Sequence, residues 1–180
     1  MSHAPTADVF HARPSTHGHL PSTLDELLEL EAPELQRLYE GASVPRLEDV
    51  RGDLRGRMLA IPSLPDAVTV LPRAWARTGF FPWRGKSFFP RSAAGGEGIN
   101  RVVSDRLRLF RFETFVGPSR AGDFDAVQLD YDLDENPFFI RAIKDEIRQL
   151  RPGLFLGQAY VQIGEKATLG LYFALATRPG

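Results

Sequence analysis

Residues 154–176 read LFLGQAYVQI-GEK-ATLGLYFALA, two β-rich runs flanking Gly164-Glu165-Lys166. A glycine-centred turn between two such runs is a hairpin signal. In the first run Gln158, Tyr160 and Gln162 alternate with Ala159, Val161 and Ile163, the period of two that gives a strand one polar and one apolar side. In the second run Tyr172 lies among the small residues Gly170 and Ala174, a pattern equally suited to a shaped cavity and to a tightly packed sheet. Tyr160 and Tyr172 are therefore candidate ligand contacts and candidate proton donors.

Moving towards the N-terminus, Asn136 and Pro137 resemble the cap and first position of a helix. Its buried stripe would be Phe139 or Ile140, Ile143, Ile147 and Leu150, with Arg148 and Arg151 near the C-terminal dipole and Pro152-Gly153 as the stop. Residues 100–103, 107–116 and 124–133 are short alternating runs separated by turn signals, and read as strands. Residues 92–98, SAAGGEG, read as a flexible loop, and 64–77 as a helix kinked at Pro72. Residues 51–61, RGDLRGRMLAI, read as the first strand. Before it, Ser22-Thr23 with Asp25-Glu26 is a capping signature for a short helix, and Pro33 opens a second helix that Gly41 ends. Residues 1–21 hold all four histidines (His3, His11, His17, His19) and little apolar periodicity, which predicts a mobile arm ahead of a single domain, 22–180. Helices do not alternate with strands along the chain. The expected fold is therefore α+β, a mainly antiparallel sheet of about seven strands curled into a barrel or half-barrel, with N-terminal helices and one helix before the last hairpin.

Composition narrows the chemistry. The 180 residues carry a formal net charge of −1, which argues against a dedicated nucleic-acid binder. There is no cysteine, so thiolate catalysis and cysteine-held metal or iron–sulfur centres are excluded, and no cofactor or metal is expected. With every histidine in the arm, a Ser-His-Asp triad lacks its base. No integral membrane segment and no secretory signal is read, and a soluble, cytoplasmic protein is expected.

The densest chemistry lies at residues 78–90, TGFFPWRGKSFFP, with five aromatic side chains and the cations Arg84 and Lys86. Gly85-Lys86-Ser87 suggests a phosphate loop, but such a loop requires glycine where Phe80 stands. In a strand, Phe81, Trp83, Gly85, Ser87 and Phe89 would share one face, with Trp83 inward, while Phe80, Arg84, Lys86 and Phe88 take the other unless Pro82 forces a bulge. The two cations are then expected in solvent or at an entrance. Asp130, Asp132 and Asp134 resemble the start of a calcium loop, yet Glu135 and Arg141 occupy positions where that loop needs glycine and glutamate. These aspartates form either a solvated sheet face or a carboxylate group at a pocket mouth. Arg106, Arg108 and Arg111 are expected to pair with them across the sheet, or to receive a ligand carboxylate.

Gly52-Asp-Leu54-Arg-Gly56 resembles the glycine-x-tryptophan-x-glycine signature of the lipocalin-like GXWXG domains, with Leu54 in place of the tryptophan. Trp83-Arg-Gly85-Lys86-Ser-Phe88 is similar to the W-x-G-K-x-F segment that follows in that family. The resemblance spans residues 45–90 and implies a calycin-type barrel around a hydrophobic cavity.

Three functions fit these observations. The first is a binder of a small hydrophobic or amphipathic molecule (lipid, isoprenoid or polyketide-like), with Phe81, Trp83, Arg84, Lys86, Phe89, Arg108, Tyr160 and Tyr172 as candidate contacts. The second is a cofactor-independent cyclase, isomerase or decarboxylase using Asp130 or Asp132 as acid or base and Tyr160 or Tyr172 as proton donor. The third is an interaction protein presenting the arm or the aromatic patch to a partner.

Overall fold

A strand that alternates large apolar with small or polar residues can bury one face in a barrel lumen and offer the other to helices or water. Eight strands do so in the computed structural model, which describes residues 19–62 and 83–177. They are β1 (Gly52–Met58), β2 (Trp83–Pro90), β3 (Gly96–Val102), β4 (Arg108–Pro118), β5 (Asp125–Asp130), β6 (Ile143–Arg151), β7 (Leu154–Ile163) and β8 (Lys166–Thr177). Each pairs antiparallel with its neighbour in sequence, and β1 closes on β8 through a register running from Leu54 opposite Thr177 to Met58 opposite Phe173. The result is a closed up-and-down barrel of the kind lipocalins use, and it leaves no sheet edge. Closure takes eight strands rather than about seven.

Two apolar layers result. Inside the lumen, Leu54, Phe88, Phe112, Leu129, Tyr131, Ile147, Phe155 and Phe173 form one buried cluster. Outside it, α1 (Leu24–Leu28) and α2 (Ala32–Gly41) lay Leu24, Leu27, Leu35 and Tyr39 over Leu154, Leu156, Tyr172 and Ala174. The capping signature operates as read: Thr23 Oγ1 accepts from the Glu26 amide, and the Glu26 carboxylate accepts from the Ser22 amide. Pro33 lies in the first turn of α2. None of the described helices is long and apolar enough to cross a membrane.

The last hairpin forms as read, with Gly164 at φ +60 in its turn. The helix expected after Asn136 does not. Only α3 (Phe138–Arg141) is helical, and Ile143–Arg151 is β6, paired to β5 and β7. Ile143 and Ile147 are four residues apart, a spacing that puts two side chains on one face in a helix and in a strand alike. Asn136 caps nothing. Its amide donates to the carbonyls of Tyr131 and Arg111, tying the β5–β6 connection to β4. Residues 92–98 are a loop only up to Gly95, after which β3 begins. The expected helix at 64–77 and residues 1–18 of the expected arm lie outside the described residues.

Candidate functional site

The lumen holds a cavity of about 110 Å³, and among the described residues its wall is apolar except at one place. Met58, Val102, Phe110, Ile140, Ile143 and Leu171 supply apolar surface, and α3 brings Ile140 over one side. Phe110 holds a left-handed backbone (φ +60) inside β4, a conformation that costs a non-glycine residue about 1–2 kcal/mol. The polar part consists of Lys86 from β2, Asn100 from β3, Asp145 from β6, and Tyr131 from the residue after β5, with Trp83 beside them.

Lys86 Nζ donates to Asn100 Oδ1 at 2.9 Å, to Tyr131 Oη at 2.5 Å and to Asp145 Oδ2 at 2.9 Å. Those three bonds use all the protons of an ammonium. The rings of Trp83, Phe112, Tyr131 and Phe173 surround the same nitrogen, with centroids 5.2 to 5.3 Å away. At such distances ring quadrupoles attract a cation, and more strongly once water is excluded. Tyr131 Oη donates in turn to Asp145 Oδ2 at 3.1 Å. Asn100 accepts from Trp83 Nε1 at 3.0 Å and donates to Tyr131 Oη at 2.9 Å. Burial lowers the Lys86 pKa from the ordinary amine range, with the Asp145 charge opposing that shift. The Tyr131 phenol is raised well above its usual value, first by burial and then by the Asp145 charge.

The local backbone explains why Lys86 is inside. Strict alternation separates Trp83 from Lys86, three residues on. In the structure Trp83 lies opposite Val102 and Gly85 opposite Arg101, so Arg84 is an extra residue in a bulge and both Trp83 and Lys86 reach the cavity. Gly85 makes this possible, with φ +129 and a backbone so near β1 that a Cβ would lie 2.0 Å from the Leu54 carbonyl oxygen. The indole of Trp83 rests against Gly56, where a Cβ would come within 2.5 Å of the ring.

Of the candidate residues, Trp83 and Lys86 line the cavity. Lys86 corrects the expectation of a solvated cation, since only 3% of its surface is exposed. Arg84 is exposed on the bulge, and Phe89 points away from the lumen. Arg108 is also outside, 3.9 Å from Asp53. Tyr160 and Tyr172 are buried on the outer face of the barrel: Tyr160 Oη donates to Gln158, and Tyr172 Oη to Gln36 of α2. Asp130 and Asp132 are likewise outside, paired with Lys144 at 2.5 Å and Arg141 at 2.6 Å, and Asp134 also meets Arg141. Of the arginines expected opposite them, Arg108 and Arg111 pair elsewhere, Arg111 with Glu97 at 2.7 Å. Phe81 lies outside the described residues. Among the described residues, the acid–base groups facing the cavity are thus Lys86, Tyr131 and Asp145, in place of Asp130, Asp132, Tyr160 and Tyr172. Tyr131 carried a signal, because it alternates with the two outward aspartates. Asp145 was hidden by the helical reading of β6.

A second buried carboxylate serves the scaffold. Glu146, next to Asp145, points outward and accepts from Tyr39 Oη at 3.0 Å, Ser119 Oγ at 2.5 Å and the Arg120 amide at 3.0 Å. It joins α2 and the β4–β5 connection to the wall.

Fold and site together define a class: closed eight-stranded antiparallel barrels with an apolar cavity and a buried ion pair in its wall. In fold the chain is similar to a protein from Thermomonospora curvata known from its crystal structure, with a TM-score of 0.54 and 16% identity over 86% of this chain and 93% of that one. Likeness at that identity is one of fold. The chain matches no protein-family model and no curated protein.

Proposed function

We propose that the protein binds a small hydrophobic or amphipathic molecule (lipid, isoprenoid or polyketide-like) inside the barrel. The observation that carries this reading is the cavity itself, an apolar hollow with one polar cluster among the described residues of its wall, the usual make-up of a small-molecule site. Its volume compares with engineered apolar cavities of about 150 Å³ that admit benzene, so the enclosed part of the ligand is about one ring in size. Kinship with the lipocalin-like GXWXG domains belongs to the same proposal, supported by the packing of Trp83 on Gly56. Native mass spectrometry of protein purified from its own host tests it. A co-purifying small molecule is expected, and a homogeneous apo mass counts against the reading.

A second reading, a cofactor-independent isomerase, cyclase or decarboxylase, is supported by one observation: a carboxylate and a phenol, Asp145 and Tyr131, bonded at 3.1 Å on the cavity wall. It predicts that a molecule recovered from the protein exchanges a carbon-bound proton with deuterated solvent in the presence of the protein but not of Asp145→Asn.

A further inference from the structure

Among the described residues around the cavity, side-chain hydrogen-bonding capacity is used at every polar atom except one. Lys86 spends its three protons on Asn100, Tyr131 and Asp145. Asn100 Oδ1 accepts twice, and Asn100 Nδ2 donates to Tyr131 Oη and to the Phe110 carbonyl. Tyr131 Oη accepts from Lys86 and Asn100, and gives its proton to Asp145 Oδ2. Asp145 Oδ2 therefore holds two donors, whereas Asp145 Oδ1, buried in a residue that lines the cavity, has no partner.

We infer that the ligand of this cavity is a neutral molecule that donates a hydrogen bond to Asp145, an alcohol or phenol, and that carboxylates are excluded. The inference rests on the cavity being a ligand site. Its physical basis is that a buried charged acceptor without a donor is costly, and that a hydroxyl on the ligand removes the cost. A carboxylate brings acceptors only. It would lie against the Asp145 carboxylate while Lys86, already fully bonded and neutralised, had no proton to offer it. Lys86 thus acts as the internal counter-ion of Asp145, rather than as an anchor for an anionic ligand.

Isothermal titration calorimetry of the full-length protein at neutral pH, with two size-matched pairs of ring-sized probes, tests this. Phenol against toluene isolates the donor, and benzyl alcohol against benzoate isolates the charge. Phenol is expected to bind about tenfold or more tighter than toluene, the effect of one charge-assisted hydrogen bond, and benzyl alcohol to exceed benzoate by at least as much. Toluene equal to phenol, or benzoate tighter than benzyl alcohol, overturns the inference and leaves the binding function standing. Failure of all four to bind overturns both. In the double variant Lys86→Met/Asp145→Leu, which exchanges the ion pair for apolar groups, the phenol preference should vanish while toluene still binds. Asp145→Asn, which keeps the shape of the wall, should lower the preference as well. A preference retained in a folded variant of either kind places the donor's partner elsewhere and refutes the assignment to Asp145.

Discussion

Lys86 and Arg84 stand two residues apart, and their surroundings have little in common. Arg84 projects into solvent from a bulge, while Lys86 holds an ammonium within a cage of four rings and three acceptors. Arg84→Ala should leave the urea unfolding midpoint unchanged. Lys86→Met should lower stability by about 3–5 kcal/mol, because it strands the Asp145 charge in a low-dielectric interior. Adding Asp145→Leu should recover most of that loss, since well-packed apolar groups can replace a buried pair at little cost. Denaturant titration of the three variants checks the set, and a single variant as stable as the wild type would contradict the charge pairing. Gly85→Ala tests the bulge. It combines a strained φ with a contact against the Leu54 carbonyl oxygen, and should cost about 2–4 kcal/mol.

Among elements, β6 shows how one run of residues can satisfy two periodicities. Ile143 and Ile147 fit a helix stripe, yet Asp145 between them also faces the lumen, and Glu146 is buried on the opposite side under α2. In a surface helix, positions 146 and 147 could not both be buried by the same neighbour. In a strand covered on both faces they are both buried, so adjacent substitutions should both be damaging. Ile147→Ala should cost about 2–5 kcal/mol through cavity creation. Glu146→Ala should cost about 1–3 kcal/mol by leaving Tyr39, Ser119 and the Arg120 amide without their acceptor. Chemical denaturation of each variant provides the check; insensitivity at either position would argue against the two-sided burial of β6.

At the scale of the whole molecule, the layered burial of aromatic hydroxyls sets the response to alkali. All four tyrosines, Tyr39, Tyr131, Tyr160 and Tyr172, have phenol pKa values raised, chiefly by burial. A raised folded-state pKa means that the native protein retains protons the unfolded chain releases, so stability is lost as pH climbs above the ordinary tyrosine value of about 10. Lys86 works in the opposite sense. Its pKa is lowered on folding, so stability rises with pH up to the ordinary lysine value of about 10.4, beyond which Lys86 adds nothing further. Above that value the tyrosines dominate. Phenolate absorbance should therefore appear in one cooperative step together with loss of circular dichroism; gradual ionisation in a folded protein would contradict the burial of these four rings.

The sequence by itself determined the class of the fold. Local period-two patterning, a glycine turn at 164 and a lack of helix–strand alternation are enough to specify an antiparallel α+β barrel, and the capping residues at 22–26 locate the first helix. It also singled out Trp83 and Lys86, because aromatic and cationic side chains so dense in number must serve a core or a site. Which way those side chains point was decided only by the tertiary structure. A single extra residue at Arg84 reverses the parity of β2, and that bulge exists because the Gly85 backbone can approach β1, a long-range contact that local periodicity does not encode. The same holds for Asp145, Tyr131 and Asn100, which are separated from Lys86 by 59, 45 and 14 residues and meet it only because the barrel closes.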